Sequence, residues 1–312
     1  MTKNEYEIVR IGEQFFDDEI MSDLKNGFIS LKFCYLGKGA DNWDKLRGKG
    51  GRQHNVEFEL GKREYTGLIQ ALSRVPFLKN PTNIIHIGVG NGIELPAITS
   101  VFDFQKHSYL GVDISYEMIQ NTVRYQKNIL GKMKQALFII SDVEKKGNIS
   151  HICEMAKKRF NPANLLLFTG EGTLLSNLKI FKYVSNALKI NDLVLISLEG
   201  DQKSERKKML SMYDLKASRE LLTFGLEKAG ITKGFFLPAE FNEKNHQVEV
   251  YFKTSDKKKI ICLTSYKPPS IYQFKETLKH HGLVPLFIEY YSSTQMYGAV
   301  CKKDRNDLSS CN

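Results

Sequence analysis

The sequence predicts an α/β fold: a Rossmann-like, largely parallel sheet ended by antiparallel strands, with a cap built from the N-terminal segment and an insertion. Three observations predict it. From Asn83 onward, short apolar runs alternate with helical stretches, the rhythm of parallel strands covered by helices. The first run, Asn83 to Ile87, breaks into a Gly88-Val89-Gly90-Asn91-Gly92 cluster, and the next strand-like run ends on Asp113. The two last runs, Leu283–Tyr291 and Met296–Cys301, complete the pattern as a terminal antiparallel pair.

Taken in order, the glycine cluster is followed by a short helix, Ile93–Val101. Ser108–Asp113 reads as the second strand, Tyr116–Ile129 as a helix, and Ala136–Ser141 as a third strand running into Asp142-Val143. Ile149–Phe160 is helical, Asn164–Thr169 a fourth buried strand, Ser176–Leu188 a helix and Leu193–Glu199 a fifth strand. The rhythm then breaks. Lys203–Gly230 is polar and helical, with an amphipathic centre at Leu215–Leu226, and Gln247–Thr254 with Lys259–Ser265 reads as a hairpin around a turn at Ser255–Lys258. Pro268-Pro269 punctuates the chain before a helix at Ile271–His281. The resulting division is a cap segment over 1–80, a core over 81–200 and 269–304, an inserted segment over 201–268 and a tail over 305–312.

The glycine cluster and Asp113 together describe a nucleoside site. Gly88 and Gly90 let the backbone turn sharply and let a ligand approach where a Cβ would collide. Asp113, at the carboxyl end of a strand, can accept from both hydroxyls of a ribose. A dinucleotide fits poorly: the third glycine of its fingerprint is replaced by Ile93, and Glu94 would put negative charge beside a pyrophosphate. S-adenosylmethionine (SAM) has no phosphate and carries a sulfonium cation, so the same residues suit it.

Composition narrows the setting. The chain has 312 residues, 42% hydrophobic, enough for a substantial core. Its first residues are polar, and no apolar run approaches the ~20 residues that span a bilayer, so a cytoplasmic protein without a membrane partner is expected. Five scattered cysteines show neither a disulfide framework nor metal-ligand spacing. The net charge of +10 suits a nucleic-acid binder, but the lysines fall in short clusters, at Lys203–Lys208 and Lys257–Lys259, rather than one stripe.

Several segments, in order from about Tyr35 to Lys302, resemble the SAM-dependent histidine-specific N-methyltransferase family of the ergothioneine pathway, whose fold is that of class I methyltransferases. Its Tyr-Asp-x-Arg-Gly-Ser segment is echoed by Tyr35-Leu-Gly-Lys-Gly39-Ala with Trp43-Asp44, and its next run by Glu57 to Glu64. Gly172-Thr-Leu-Leu-Ser-Asn177-Leu178 matches the ends of its Gly-Ser-Thr-Ile-Gly-Asn-Leu, Tyr213-Asp214 its Tyr-Asp pair, and Cys262 to Lys267 part of its Thr-Glu-x-Ser-x-Lys. The resemblance implies that Gly88 and Gly90 face the methionine end of SAM, with Asp113 at the ribose and Asp142 and Val143 at the adenine edge. Val89, Ile114 and Gly170 are expected in the same cofactor site. Asn177 and Tyr213 then hold the amino-acid head group, with Tyr35 and Ser265 lining the same pocket. The family's imidazole-recognising glutamate falls on Leu263, so a less polar amino acid or another small amine is expected in place of histidine.

Methyl transfer from a sulfonium is an in-line displacement that depends mainly on alignment. Tyr213 and Asn177 are the candidates to hold the lone pair of the amine towards the methyl group, and Glu171, in Gly170-Glu171-Gly172, is a further candidate amine acceptor. The expected activity is therefore SAM-dependent N-methylation of a small amino acid or amine, with S-adenosylhomocysteine (SAH) as product. An RNA methyltransferase, suggested by charge, and a SAM-binding protein without catalysis are the alternatives.

Overall fold

The computed structural model describes residues 6–13, 16–44, 66–72, 79–168, 178–201, 203–292 and 296–304. Its centre is an eight-stranded sheet built from β1 (Glu7–Arg10), β2 (Asn83–Ile87), β3 (Ser108–Asp113), β4 (Ala136–Ile140), β5 (Asn164–Phe168), β6 (Leu193–Glu199), β11 (Leu283–Tyr291) and β12 (Met296–Lys303). The spatial order is β1-β4-β3-β2-β5-β6-β12-β11. β1 to β6 pair in parallel, while β12 runs antiparallel to both β6 and β11. This is the Rossmann-like sheet with terminal antiparallel strands that the apolar runs predict.

The parallel strands are apolar on both faces because helices cover both. Successive side chains alternate between two cores. Ile85, Ile87, Leu110, Val112, Leu137, Ile139, Leu166 and Phe168 pack on one side, with Ile152 and Val184 from the covering helices. Ile84, Tyr109, Phe138, Leu165 and Leu167 pack on the other, with Leu68, Leu95, Ile98 and Ile119. The helices, in chain order, include α1 (Phe16–Lys25), α2 (Gly39–Asp44), α3 (Leu95–Val101), α4 (Tyr116–Tyr125), α5 (Lys127–Leu130), α6 (Asn148–Arg159) and α7 (Lys179–Ala187). They continue with α8 (Arg206–Tyr213), α9 (Lys216–Lys228) and α10 (Ile271–His280).

A second sheet of four strands, β7 (Gly234–Phe236), β8 (Glu240–Asn242), β9 (Gln247–Thr254) and β10 (Lys259–Tyr266), is built from the inserted segment. It has a core of its own, in which Val248, Val250 and Ile260 meet Leu221, Leu222 and Leu226 of α9. Ile20, Ile29, Leu31 and Phe33 from the N-terminal segment join them, so prefix and insertion share one apolar interior. The prefix also reaches the main sheet: β1 pairs with β4 at its edge, Val9 opposite Ile139. Four residues with the burial of an edge strand leave too short a pattern to be read beforehand.

Helix boundaries differ from the sequence expectation in small, local ways. The stretch expected as Tyr116–Ile129 is two helices, α4 and α5, meeting at Gln126. The helix expected from Ser176 is described from Lys179, and residues 169–177 lie outside the described residues.

Candidate cofactor cleft and acceptor corner

At the carboxyl ends of β2, β3 and β4 lies an open cleft. The glycine turn forms one wall. Gly88 and Gly90 sit in the left-handed region, at φ 69° and 54°. The Gly88 and Val89 amides donate to the Val112 carbonyl at 2.8 and 3.0 Å, which ties the turn to the end of β3. A Cβ at Gly90 would stand 3.3 Å from Trp43 Nε1, so α2 closes tightly over the turn. Asp44 fastens that roof: its carboxylate accepts from Asn91 Nδ2, Asn121 Nδ2 and the Tyr125 hydroxyl at 2.9–3.0 Å.

Asp113 stands beside the turn with its carboxylate held by backbone donors. Gly90 N donates to Oδ2 and Ser115 N to Oδ1, each at 3.0 Å. Burial pushes the Asp113 carboxyl up to about 6, against the opposing pull of those amides. Asp142, one strand over, has a cation: Lys32 Nζ lies 2.7 Å from Oδ2 and 2.6 Å from Glu19. Lys32 comes from the 3-10 turn Leu31–Tyr35 of the prefix, and Lys145 completes the network at 2.6 Å from Glu19. Burial also pushes the Glu144 carboxyl up to about 7, mainly opposed by Lys32.

The cleft is thus lined by four carboxyl groups, Glu94, Asp113, Asp142 and Glu144, and among the described lining residues Lys32 is the one cation. Such a lining suits a cationic ligand and disfavours a pyrophosphate. Ser141 adds a second sign of a ligand: it lines the cleft and is 1% exposed, and its Oγ has no hydrogen-bond partner.

Gly88, Val89, Gly90, Asp113, Ile114, Asp142 and Val143 all line this one cleft. Tyr35 lines it as well, edge-on to Trp43 with ring centroids 5.4 Å apart. Tyr213 and Ser265 meet at a different place, the end of β6, where Lys267 joins them. The Tyr213 phenol interacts with Ser265 and Lys267, while Lys267 forms an ion pair with Glu199, the last residue of β6. Gly170, Glu171 and Asn177 lie outside the described residues. His86, two residues before Gly88, is a core residue of β2 whose Nδ1 lies 3.2 Å from the Tyr109 hydroxyl. Burial pushes its imidazole down to about 4, so it is neutral.

Sequence reasoning missed Lys32, Ser141 and Glu144. Lys32 belongs to no motif and reaches Asp142 only through the tertiary fold. Ser141 and Glu144 flank the Asp142-Val143 pair, and their position after a predicted strand was the available signal. Lys267 closes a motif already singled out, but nothing local revealed its ion pair.

No protein-family signature matches the chain, and no curated protein is detectably similar to it. Solved structures share its fold. The PH0226 protein of Pyrococcus horikoshii OT3 superposes with a TM-score of 0.50 at 14% identity, over 86% of this chain and 100% of that one. Magnesium protoporphyrin IX methyltransferase from Synechocystis PCC 6803, with bound SAH, gives a TM-score of 0.49 at 12% identity, over 87% of this chain and 95% of that one. An S-adenosylmethionine-dependent methyltransferase from Clostridium acetobutylicum ATCC 824 gives 0.47 at 14% identity, over 86% and 98% respectively. Among the described residues, no helix is long and apolar enough to cross a membrane.

Proposed function

We propose that this chain is a SAM-dependent methyltransferase that methylates the amino group of a small amino acid or related amine. The observation that carries the reading is the acid-lined cleft closed over the glycine turn, with Asp113 at its side. SAM supplies an electrophilic methyl group on a sulfonium, and SAH is what remains after transfer. Gly88, Val89 and Gly90 let the backbone approach its methionine end. Asp113 accepts from the ribose hydroxyls, and the Asp142–Val143 edge, with Ser141, receives the adenine. Ile114 packs at the ribose, and Tyr35 with Trp43 covers the cleft from the prefix side. The four carboxyls favour the positive charge of the bound group over a phosphate.

In this reading the acceptor enters between core and cap. Tyr213 and Ser265 hold its polar head. Leu263 supports a less polar side chain than imidazole, because it is a half-buried member of the apolar cap interior. The chain's own contribution to the chemistry is alignment and exclusion of water, with the proton of the ammonium product passing to solvent. The test is transfer of labelled methyl from SAM into a fractionated cell extract, counting small molecules, protein and RNA separately. Label in small molecules is expected, and mass spectrometry of that fraction names the acceptor. Label in RNA alone overturns the amine reading, and no label with SAM bound favours a protein that binds without catalysis.

A further inference from the structure

Resemblance groups Tyr35 with Tyr213 and Ser265, yet Tyr35 lines the cleft of the glycine turn, and Trp43 lines it beside Tyr35. The two rings meet at 81° with centroids 5.4 Å apart, so they form two walls of an open corner. Each wall is fastened from behind. Tyr35 ends the Leu31–Tyr35 turn, whose Leu31, Phe33 and Cys34 are buried in the apolar interior shared with the inserted segment, and whose Lys32 pairs with Asp142. Trp43 belongs to α2, which Asp44 ties to Asn91, Asn121 and Tyr125. Between the two elements, Gly37 N donates to Glu117 Oε2 at 3.2 Å and pins their link to α4. Trp43 Nε1 stands 3.3 Å from the place of a Cβ on Gly90, so the corner lies against the glycine turn. Its chemistry is that of a site for an onium cation, because aromatic faces attract a ligand cation through the ring quadrupole. The rest of the lining adds to the preference. Lys32, the one cation among the described lining residues, is offset by Asp142 and Glu19, and four carboxyl groups share the same cleft.

We propose that Tyr35 and Trp43 are specificity-determining residues that hold the sulfonium of SAM in this corner, so that the cleft binds SAM more tightly than SAH. This rests on the methyltransferase reading and sharpens it: the cleft selects its ligand by the charge at sulfur. Transfer of the methyl group turns the sulfonium into a neutral thioether. The product then lacks the cation that the rings and carboxyl groups favour, and its release is eased. A packing role for the two rings would weigh on both ligands alike, since SAM and SAH differ only by the methyl group and its charge.

The test is calorimetric titration of the full chain at pH 7.5 with SAM, SAH and sinefungin, in which a carbon bearing an ammonium group replaces the sulfonium. SAM and sinefungin should bind about tenfold more tightly than SAH, the scale of a desolvated cation–π contact. Trp43→Leu should lower the ratio of SAM to SAH affinity about fivefold with SAH affinity unchanged, and Trp43→Phe should keep most of the ratio. If Trp43→Leu does not keep its fold by circular dichroism, Tyr35→Leu is read by the same ratio. Equal affinities of the parent chain for SAM and SAH overturn the proposal and leave the methyltransferase reading in place. So does a folded leucine variant that weakens both ligands alike. Sinefungin as weak as SAH overturns it too, because the preference would then belong to the shape of the methyl group. Binding of none of the three strikes the methyltransferase reading and the proposal together.

Discussion

Asp113 and Asp142 stand at the carboxyl ends of neighbouring parallel strands, within one cleft, and are held in contrasting ways. Asp113 is held by amides of the glycine turn and of its own strand end, all within the core. Asp142 is held by Lys32 of the prefix, through a network that also ties in Glu19 and Lys145. Asp113 keeps acceptor capacity for hydroxyl groups, and burial lifts its carboxyl to about 6 against the pull of those amides. A carboxylate held by a distant lysine is a joint between two parts of the fold. The comparison teaches that the Asp113 corner of the cleft belongs to the core, whereas the Asp142 corner depends on the prefix staying docked.

The largest effect that would sharpen this contrast is on stability. Lys32→Met leaves the 2% exposed Asp142 carboxylate without its cation. Removing one partner of such a pair should cost about 3 kcal/mol, read as a lower urea midpoint. A midpoint equal to that of the parent would make the joint dispensable. Asp113→Ala should instead act on binding, weakening SAM by about 1.5–3 kcal/mol, the worth of hydrogen bonds to a charged group. Calorimetric titration checks it, and equal affinities would remove Asp113 from the ribose.

The pH dependence follows from the same acid. Hydroxyl donors need the carboxylate, so SAM affinity should fall as pH drops through about 6, by up to about tenfold per pH unit. Asp113→Ala should abolish that inflection and Glu144→Gln should keep it. For the unliganded fold the sign reverses. The carboxyl lies above its ordinary 3.8, so its stabilising contribution is complete below that value and is lost as pH rises through about 6. The smallest effect is at Ser141, whose buried hydroxyl has no partner. Ser141→Ala should leave the unliganded chain at least as stable and weaken SAM by about 1 kcal/mol, measured by melting with and without SAM.

Much of the cleft was legible in the sequence because it is built from local signals. Parallel strands buried on both faces read as unbroken apolar runs, and an acid or glycine at the end of such a run falls at the carboxyl edge of the sheet. Gly88, Gly90, Asp113 and Asp142, grouped by these signals, line one cleft. The hairpin of β9 and β10 was legible for the same reason, from its alternation and its turn. What stayed hidden depends on distant pairing. β1 is four residues long and takes its partner from Ala136–Ile140, while β7 and β8 are three residues each. Lys32 and Lys267 look like ordinary surface lysines in sequence, and only the fold brings each against a carboxylate. Tyr35, grouped by resemblance with Tyr213 and Ser265, lies with Trp43 on the cleft of the glycine turn.

The central claim is tested most directly by titrating SAM and, in parallel, NAD into the unmodified chain by calorimetry at pH 7.5. The account predicts one SAM bound per chain, displaced by SAH, and no heat from NAD, because four carboxyl groups line the cleft and Glu94 stands at the start of α3. Binding of NAD, or no binding of SAM, would contradict it.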